Sequence, residues 1–494
     1  MATRKLVIAG GGTAGWMTAL LAKRVLGQAV DVELVESDQI GIIGVGEATI
    51  PPIQTFNQYI GLDEREFLRE THGTIKLAIR FEGWRQPDAS YFHTFGAPGA
   101  SMGFCTFQHY LTRANRLGDP TTIWDYDLNY LCCEAGKFNK IASQDPILDM
   151  PYAYHFDATL YGRYMRKLAE AAGVKRTEGV IGQVVLDAES GHVRKLQLVA
   201  GTEIEGDVFV DCTGLQGLLL QKTLGVSFED WGHWIPSDRA IAVQSESAST
   251  LVPYTRSIAH PKGWQWQIPL THRTGNGIVY SSRFMSDDEA RATLLANLPG
   301  APLTEPRVIR FRTGRATQQW HKNVIAIGLS SGFLEPLEST SIHLIQAAAV
   351  RLMRLFPHDG IAPSAVEQFN EESKQEFETV RDFIILHYHA NERQDSEFWR
   401  HMRDMQIPDR LQQKIDLFRE TGTVVNESQD IFRDSSWVQV MMGQGISPSD
   451  YHPAANALPA DELRARLGQL LAAKRHPVSQ MLSHREFLKR YVGA

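Results

Sequence analysis

The chain has 494 residues, 43% hydrophobic and 22% charged, a globular balance in a chain too long for one simple core. Its net charge of -7 is mild and its Lys and Arg are scattered, so neither nucleic acid nor an anionic membrane is expected as a partner. Cys105, Cys132, Cys133 and Cys212 form no C-x-x-C pair; no metal site or disulfide framework is expected, a reducing cytoplasm fits, and neither a signal peptide nor a membrane span is apparent.

Residues 5–9 read as a buried strand, and 14–26 as a helix with Trp16, Leu20 and Leu21 on related faces. Val30 to Val35 reads as a second strand ending at Glu36. Between the first strand and the helix lies Gly10-Gly11-Gly12-Thr13-Ala14-Gly15. In this βαβ setting Gly10 permits the tight turn and Gly12 admits a pyrophosphate to the backbone. Gly15 allows close helix packing, and the helix N-terminus at Thr13 and Ala14 carries partial positive charge. Glu36 stands where an acid accepts hydrogen bonds from ribose hydroxyls. The fingerprint alone does not separate NAD from FAD.

Gly44-Val45-Gly46-Glu47-Ala48-Thr49-Ile50-Pro51 follows. Its glycines allow unusual backbone angles or close approach to a flat ligand, and an ordinary loop stopped by proline reads the same way. In residues 74–81, Ile75, Leu77, Ile79 and Phe81 alternate with Thr74, Lys76, Ala78 and Arg80. That pattern predicts one strand with an apolar face and a solvated face carrying Lys76. Tyr91-Phe92-His93-Thr94-Phe95-Gly96 reads by itself as a Tyr/Phe-rich core strand with a satisfied His. An amphipathic helix is predicted over 155–176, then short strands to Val210, with 206–214 a buried strand ending at a Gly turn.

Gly263-Trp264-Gln265-Trp266-Gln267-Ile268-Pro269 sets two Trp on one face of a strand, which by itself suggests core filling. Val308–Arg312 and Val324–Gly328 read as strands, and Ile342–Phe356 as a helix. Between these last two, Glu335-Pro336-Leu337-Glu338-Ser339-Thr340-Ser341 supplies Ser339 and Thr340 as helix caps, and free amides at Thr340 and Ser341 form an anion site. Beyond Pro357 the chain reads as mostly helical. His387 and His389, two apart on a helix, point away from each other and read as structural.

Taken in order, the Gly fingerprint, the Gly44–Pro51 strap, the Lys76 segment with Phe81-Glu82-Gly83-Trp84, Trp264-x-Trp266-x-Ile268-Pro269 and the Glu335–Ser341 turn resemble the flavin-dependent halogenases of the tryptophan-halogenase family. Val210-Asp211-Cys212-Thr213-Gly214 and Asn323 to Gly328 resemble segments of the FAD module of flavoprotein monooxygenases. The resemblance, which spans residues 1–445, implies an α/β fold with a Rossmann-like FAD module fused to a mostly helical substrate module. The segments expected are 1–50 and 155–356 for the FAD module, and 51–154 and 357–494 for the substrate module. It implies FAD, used as FADH2, at Gly10, Gly12, Thr13, Ala14, Gly15, Glu36, Gly46, Ala48, Gly328 and Leu337. It further implies chloride or bromide held at Thr340 and Ser341, catalysis by Lys76 and Glu338, and aromatic walls from His93, Phe95 and Phe432.

The activity so implied forms hypohalous acid from reduced flavin, O2 and halide and halogenates an electron-rich aromatic small molecule such as an indole. Family members acting on free tryptophan carry a Tyr-rich, Glu-containing helix before a Phe-Trp pair. Here Glu420 to Trp437 lacks both Tyr and that pair, so an indole is expected over the amino acid. One nucleotide fingerprint implies a separate flavin reductase; a homodimer is compatible with the chain. An aromatic hydroxylase and a non-enzymatic flavin-binding protein are the competing readings. The last ~50 residues carry no pattern beyond helix.

Overall fold

The computed structural model describes residues 4–38, 46–100, 102–143, 145–426 and 430–493. The chain divides into two compact units. The first comprises Met1–Gly73, Phe156–Asp238 and Arg310–Glu378; the second comprises Thr74–His155, Arg239–Ile309 and Thr379–Ala494.

The first unit is built on a six-stranded sheet. Its order is Trp320–His321, Val324–Ala326, Val208–Asp211, Arg4–Ala9, Val30–Glu36 and Lys175–Glu178. All neighbours are parallel except the two-residue edge strand. Leu6, Val7, Ile8 and Ala9 are all buried, the continuous apolar run of a strand covered on both faces. Helix Thr13–Leu26 packs with helices Ala158–Ala171 and Ser341–Arg354. On the sheet's other side Val7, Ala9 and Phe209 pack with Val193, Leu196 and Ile204 of an antiparallel three-stranded sheet.

The second unit holds a seven-stranded sheet in the order Arg307–Arg310, Arg239–Ser245, Thr274–Tyr280, Gly263–Pro269, Tyr254–His260, Ala78–Glu82 and Ser90–Thr94. Only the pair Tyr254–His260 with Ala78–Glu82 is parallel among the registers described. The Trp-x-Trp strand is central and buried throughout. Trp264 lies 6.1 Å from Trp84. Trp266 faces Gly277, where an added Cβ would stand 2.0 Å from the indole. The tryptophans thus fill core space opened by a missing side chain.

Two predicted elements are corrected. The helix expected over 155–176 is a strand, Ala153–Asp157, and then a shorter helix, Ala158–Ala171. Asp157 sets the boundary by accepting the amides of Thr159 (2.9 Å) and Leu160 (3.0 Å), an N-cap. The single strand expected over 74–81 is two, Thr74–Lys76 and Ala78–Glu82, in different sheets. Leu77 makes the break: its amide donates to Pro253 O (2.8 Å) and its carbonyl accepts from Phe95 N (3.0 Å). Nor is one face solvated, since residues 74–79 are all buried.

The four cysteines are buried free thiols. Burial weakens their acidity: it pushes the Cys105 thiol pKa up, that of Cys132 up to about 12, and those of Cys133 and Cys212 well above the ordinary thiol value. Among the described residues no helix is long and apolar enough to cross a membrane.

Candidate active site

In the first unit the glycine turn has an open side. Gly10 adopts φ +110°, and a Cβ there would meet Cys212 O at 2.3 Å; one at Gly15 would meet Gly10 O at 1.9 Å. Both positions exclude a side chain through the protein's own packing. Gly12 is different, because a Cβ there would meet nothing within 4 Å. Packing does not require glycine at 12, whereas a phosphate set against the backbone at the start of helix Thr13–Leu26 does.

Glu36 leans over the same turn. A Cβ on Gly11 would lie 1.6 Å from Glu36 Oε2. Trp16 Nε1 donates to that oxygen (3.2 Å), while Arg176 Nε (2.6 Å) and Arg166 NH1 (3.3 Å) hold Oε1. Sequence reading missed both arginines. Arg176 arrives because its strand pairs with Val30–Glu36, in the register Leu34 to Arg176. Asp211 lies in the segment that resembles the FAD module, but the sequence does not assign its role. Its Oδ1 accepts the Thr213 amide and its Oδ2 those of Leu219 and Leu220, which shapes the turn after strand Val208–Asp211. At Gly328, with φ +81°, a Cβ would sit 2.8 Å from that of Ala14, so the late strand ends directly against the fingerprint helix.

Of the strap, Gly44 and Val45 lie outside the described residues. Gly46–Ala48 is a short strand with Gly46 and Ala48 buried. Burial pushes the carboxyl of Glu47 from its ordinary 4.5 up to about 7. The folded chain therefore holds this proton more tightly than the unfolded one. Stability is full below the ordinary value, falls as pH rises, and levels off above about 7. The loss is about 3 kcal/mol at most. In melts of the cofactor-free protein from pH 5 to 8, Glu47→Gln is expected to flatten this decline. A parent profile already flat would remove Glu47 as its source.

The turn after Gly328 carries Leu337 and Glu338 in a 3-10 segment, Pro336–Glu338, with both side chains buried. The cap expected from the Thr340 side chain is not made. Ser339 takes φ +59°, an unusual angle for a residue with a side chain, and Thr340 sits at the N-cap without a side-chain bond. Among the described residues the buried Thr340 Oγ1 has no hydrogen-bond partner. The first intrahelical bond runs from Leu344 N to Thr340 O (2.9 Å), which leaves the amides from Ser341 to His343 outside the ladder. A buried hydroxyl and free helix-start amides together suit an anion.

In the second unit Lys76 is 0% exposed. Its Nζ lies 5.1 Å from the ring centre of Phe95, and the Phe95 amide bonds the carbonyl of Leu77. Thr94 fixes the strand between His93 and Phe95: its amide donates to Gln439 Oε1 (2.9 Å) and its hydroxyl to Asp127 Oδ2 (2.8 Å). His93 lies 6.2 Å from Phe432 and 5.4 Å, edge-on, from Phe383. Phe383 stacks on Phe432 at 3.8 Å; its segment, Arg381-Asp382-Phe383, resembles the family's helical module, but the sequence assigns it no site role. His387 Nδ1 bonds Tyr91 OH (2.8 Å), and its ring stacks on Phe81 at 4.4 Å, a core position.

The tryptophan halogenase family model matches residues 5–460. The chain is 35% identical to tryptophan 6-halogenase SttH of Streptomyces toxytricini, over 89% of each chain. Among solved structures it is similar to a flavin-dependent halogenase from Xanthomonas campestris (TM-score 0.97, 45% identity, 99% of both chains). It is also similar to BrvH, a flavin-dependent halogenase from Brevundimonas sp. BAL3 (TM-score 0.95, 43% identity, 99% of both chains). These likenesses favour halogenation over the hydroxylase and the non-enzymatic flavin-binding alternatives. The motifs, the fold and these relatives agree that the chain belongs to the tryptophan halogenase family and is a flavin-dependent halogenase.

Proposed function

We propose that the enzyme uses FADH2 from a separate flavin reductase, with chloride or bromide, to halogenate an indole in preference to free tryptophan. The observation that carries this reading is the full burial of Lys76 beside Phe95. Lysine is almost never fully buried in a globular protein, and buried ionisable groups cluster at functional sites. Gly10, Gly12, Thr13, Ala14 and Gly15 would receive the pyrophosphate and Glu36 a ribose. Gly46, Ala48, Gly328 and Leu337 would flank the cofactor. Bound reduced flavin supplies, with O2, the oxidising power that converts halide to hypohalous acid.

The hydroxyl of Thr340 and the amide of Ser341 would hold the halide. Lys76 would then hydrogen-bond hypohalous acid and polarise it, or carry the halogen as a haloamine; both bring it to one ring carbon. The arene takes the halogen and loses a proton, and water leaves. The Glu338 carboxylate would orient the electrophile or stabilise the cationic ring before that proton goes. His93, Phe95 and Phe432 would supply aromatic contact. The buried thiols fit a reducing cytoplasm.

Substrate preference rests on Glu420 to Trp437. Helix Asp409–Thr421 ends at Gly422 in the left-handed conformation, and the next helix begins only at Asp434. Glu427, Ser428 and Gln429 lie outside the described residues. A zwitterion needs partners for two charges, and an unpaired one in a partly buried pocket is costly; an indole needs only aromatic walls. The test is incubation with a flavin reductase, NADH, FAD, bromide and equal indole and tryptophan, read by mass spectrometry. Bromoindole is expected to dominate. Faster bromination of tryptophan would overturn the preference, and no brominated product from any arene would overturn the reading.

A further inference from the structure

Thr74–Lys76 is three residues long and pairs with Ala153–His155, Lys76 opposite Ala153. So short a strand has few ladder bonds of its own to fix a side chain. Both residues before the lysine are instead tied to buried histidines, His155 and His484.

The partners determine which nitrogen carries each proton. Thr74 Oγ1 donates to Pro269 O (2.7 Å). A hydroxyl has one proton, so in its 2.9 Å contact with His155 Nδ1 it accepts, and that nitrogen is N–H. Burial and the nearby charge of Lys76 hold His155 well below the ordinary histidine range. The ring is therefore neutral, and its bare Nε2 accepts from Thr255 Oγ1 (2.9 Å). His484 repeats the arrangement. Its Nε2 accepts the Ile75 amide (3.1 Å), so Nδ1 carries the proton and donates to Leu251 O (3.2 Å). Burial pushes this ring down to about 4. Protonation of His484 would set two donors against each other at Ile75.

We propose that His155 and His484 are positioning residues for halogen delivery: two uncharged imidazoles that bracket Thr74–Lys76 and hold its lysine without adding positive charge beside it. Pro269, the last residue of the Trp-x-Trp-x-Ile-Pro strand, enters through its carbonyl, so that motif anchors the lysine strand as well as filling core. His484 comes from the terminal helix His484–Val492, which makes the end of the chain part of the delivery apparatus. This inference rests on the assignment of halogen delivery to Lys76.

The experiment measures brominated indole formed per O2 consumed, together with kcat, KM for indole and FAD affinity, in the full-length enzyme with its reductase. His155→Leu and His484→Leu remove both bonds of each ring. His484→Gln restores an acceptor for Ile75, and His155→Asn restores a donor for Thr74. Each Leu variant is expected to lower product per O2 about tenfold or more, through kcat rather than KM, with FAD affinity unchanged, since small misplacement of a reacting group costs on that scale. The Asn and Gln variants should recover a large part. If the Leu variants fail to fold, Thr255→Val, which removes the hydroxyl donor to His155, carries the test, with a smaller loss of product per O2 expected.

Parent-like product per O2 in the folded Leu variants, or in Thr255→Val where those do not fold, overturns the bracket; so does a loss in the Leu variants that the Asn and Gln variants do not relieve. Lys76→Met run in parallel separates the two levels. An active Lys76→Met enzyme overturns the lysine assignment and the bracket with it. An inactive one beside parent-like histidine variants overturns the bracket alone.

Discussion

Lys76→Met is expected to abolish halogenation, with product formation falling about a hundredfold or more, the scale set by loss of an orienting group, while FAD affinity stays at the parent level. Methionine keeps much of the stem that passes Phe95 and removes only the ammonium. Lys76 is fully buried, and methionine is of similar volume, so the variant is expected to remain folded, and its thermal stability is read beside its turnover. Lost turnover with retained stability is the signature of a group kept for chemistry. Product mass by liquid chromatography and a melting curve on the same sample check both halves. Near-normal turnover would make Lys76 a bystander.

Glu338→Gln is expected to lower turnover by ~10²–10⁴-fold, the range for groups that move protons or stabilise developing charge. Glutamine matches the shape of the carboxylate, so the 3-10 segment Pro336–Glu338 and the left-handed Ser339 should persist. On the proposed role, what is lost is the negative charge set against a cationic ring. A change of only about two-fold, far below that range, would return Glu338 to the role of an acid at a helix start. Single-turnover rates with pre-reduced flavin separate this effect from flavin binding.

The first strand, helix and second strand were legible because a parallel strand buried on both faces leaves an unbroken apolar run, and the glycine fingerprint marks the turn between them. The break at Leu77 was not. Strict alternation signals one wet face, and nothing local says that Leu77 turns to Pro253 and Phe95 while Thr74 finds His155 and Pro269. The helix expected over 155–176 starts too early because Phe156 keeps helical spacing with Leu160 and Tyr164; only the bonds of Asp157 reveal the boundary. Thr340 reads as a cap because of residue type, yet its side chain makes no such bond, and the turn before it takes a left-handed angle at Ser339. The terminal segment was silent for a simpler reason: His484 meets Ile75 across 409 positions of sequence, and no periodicity carries information over that distance.

The depth of the four thiols has a consequence for the lifetime of the catalyst. Hypohalous acid attacks sulfur fastest as thiolate, and an enzyme that makes it is its own nearest target. Here every cysteine is buried and unpaired, and burial keeps the sulfurs protonated. An equivalent of oxidant that escapes delivery therefore meets no ready thiolate on its way out, and the wear of repeated turnover falls on other side chains.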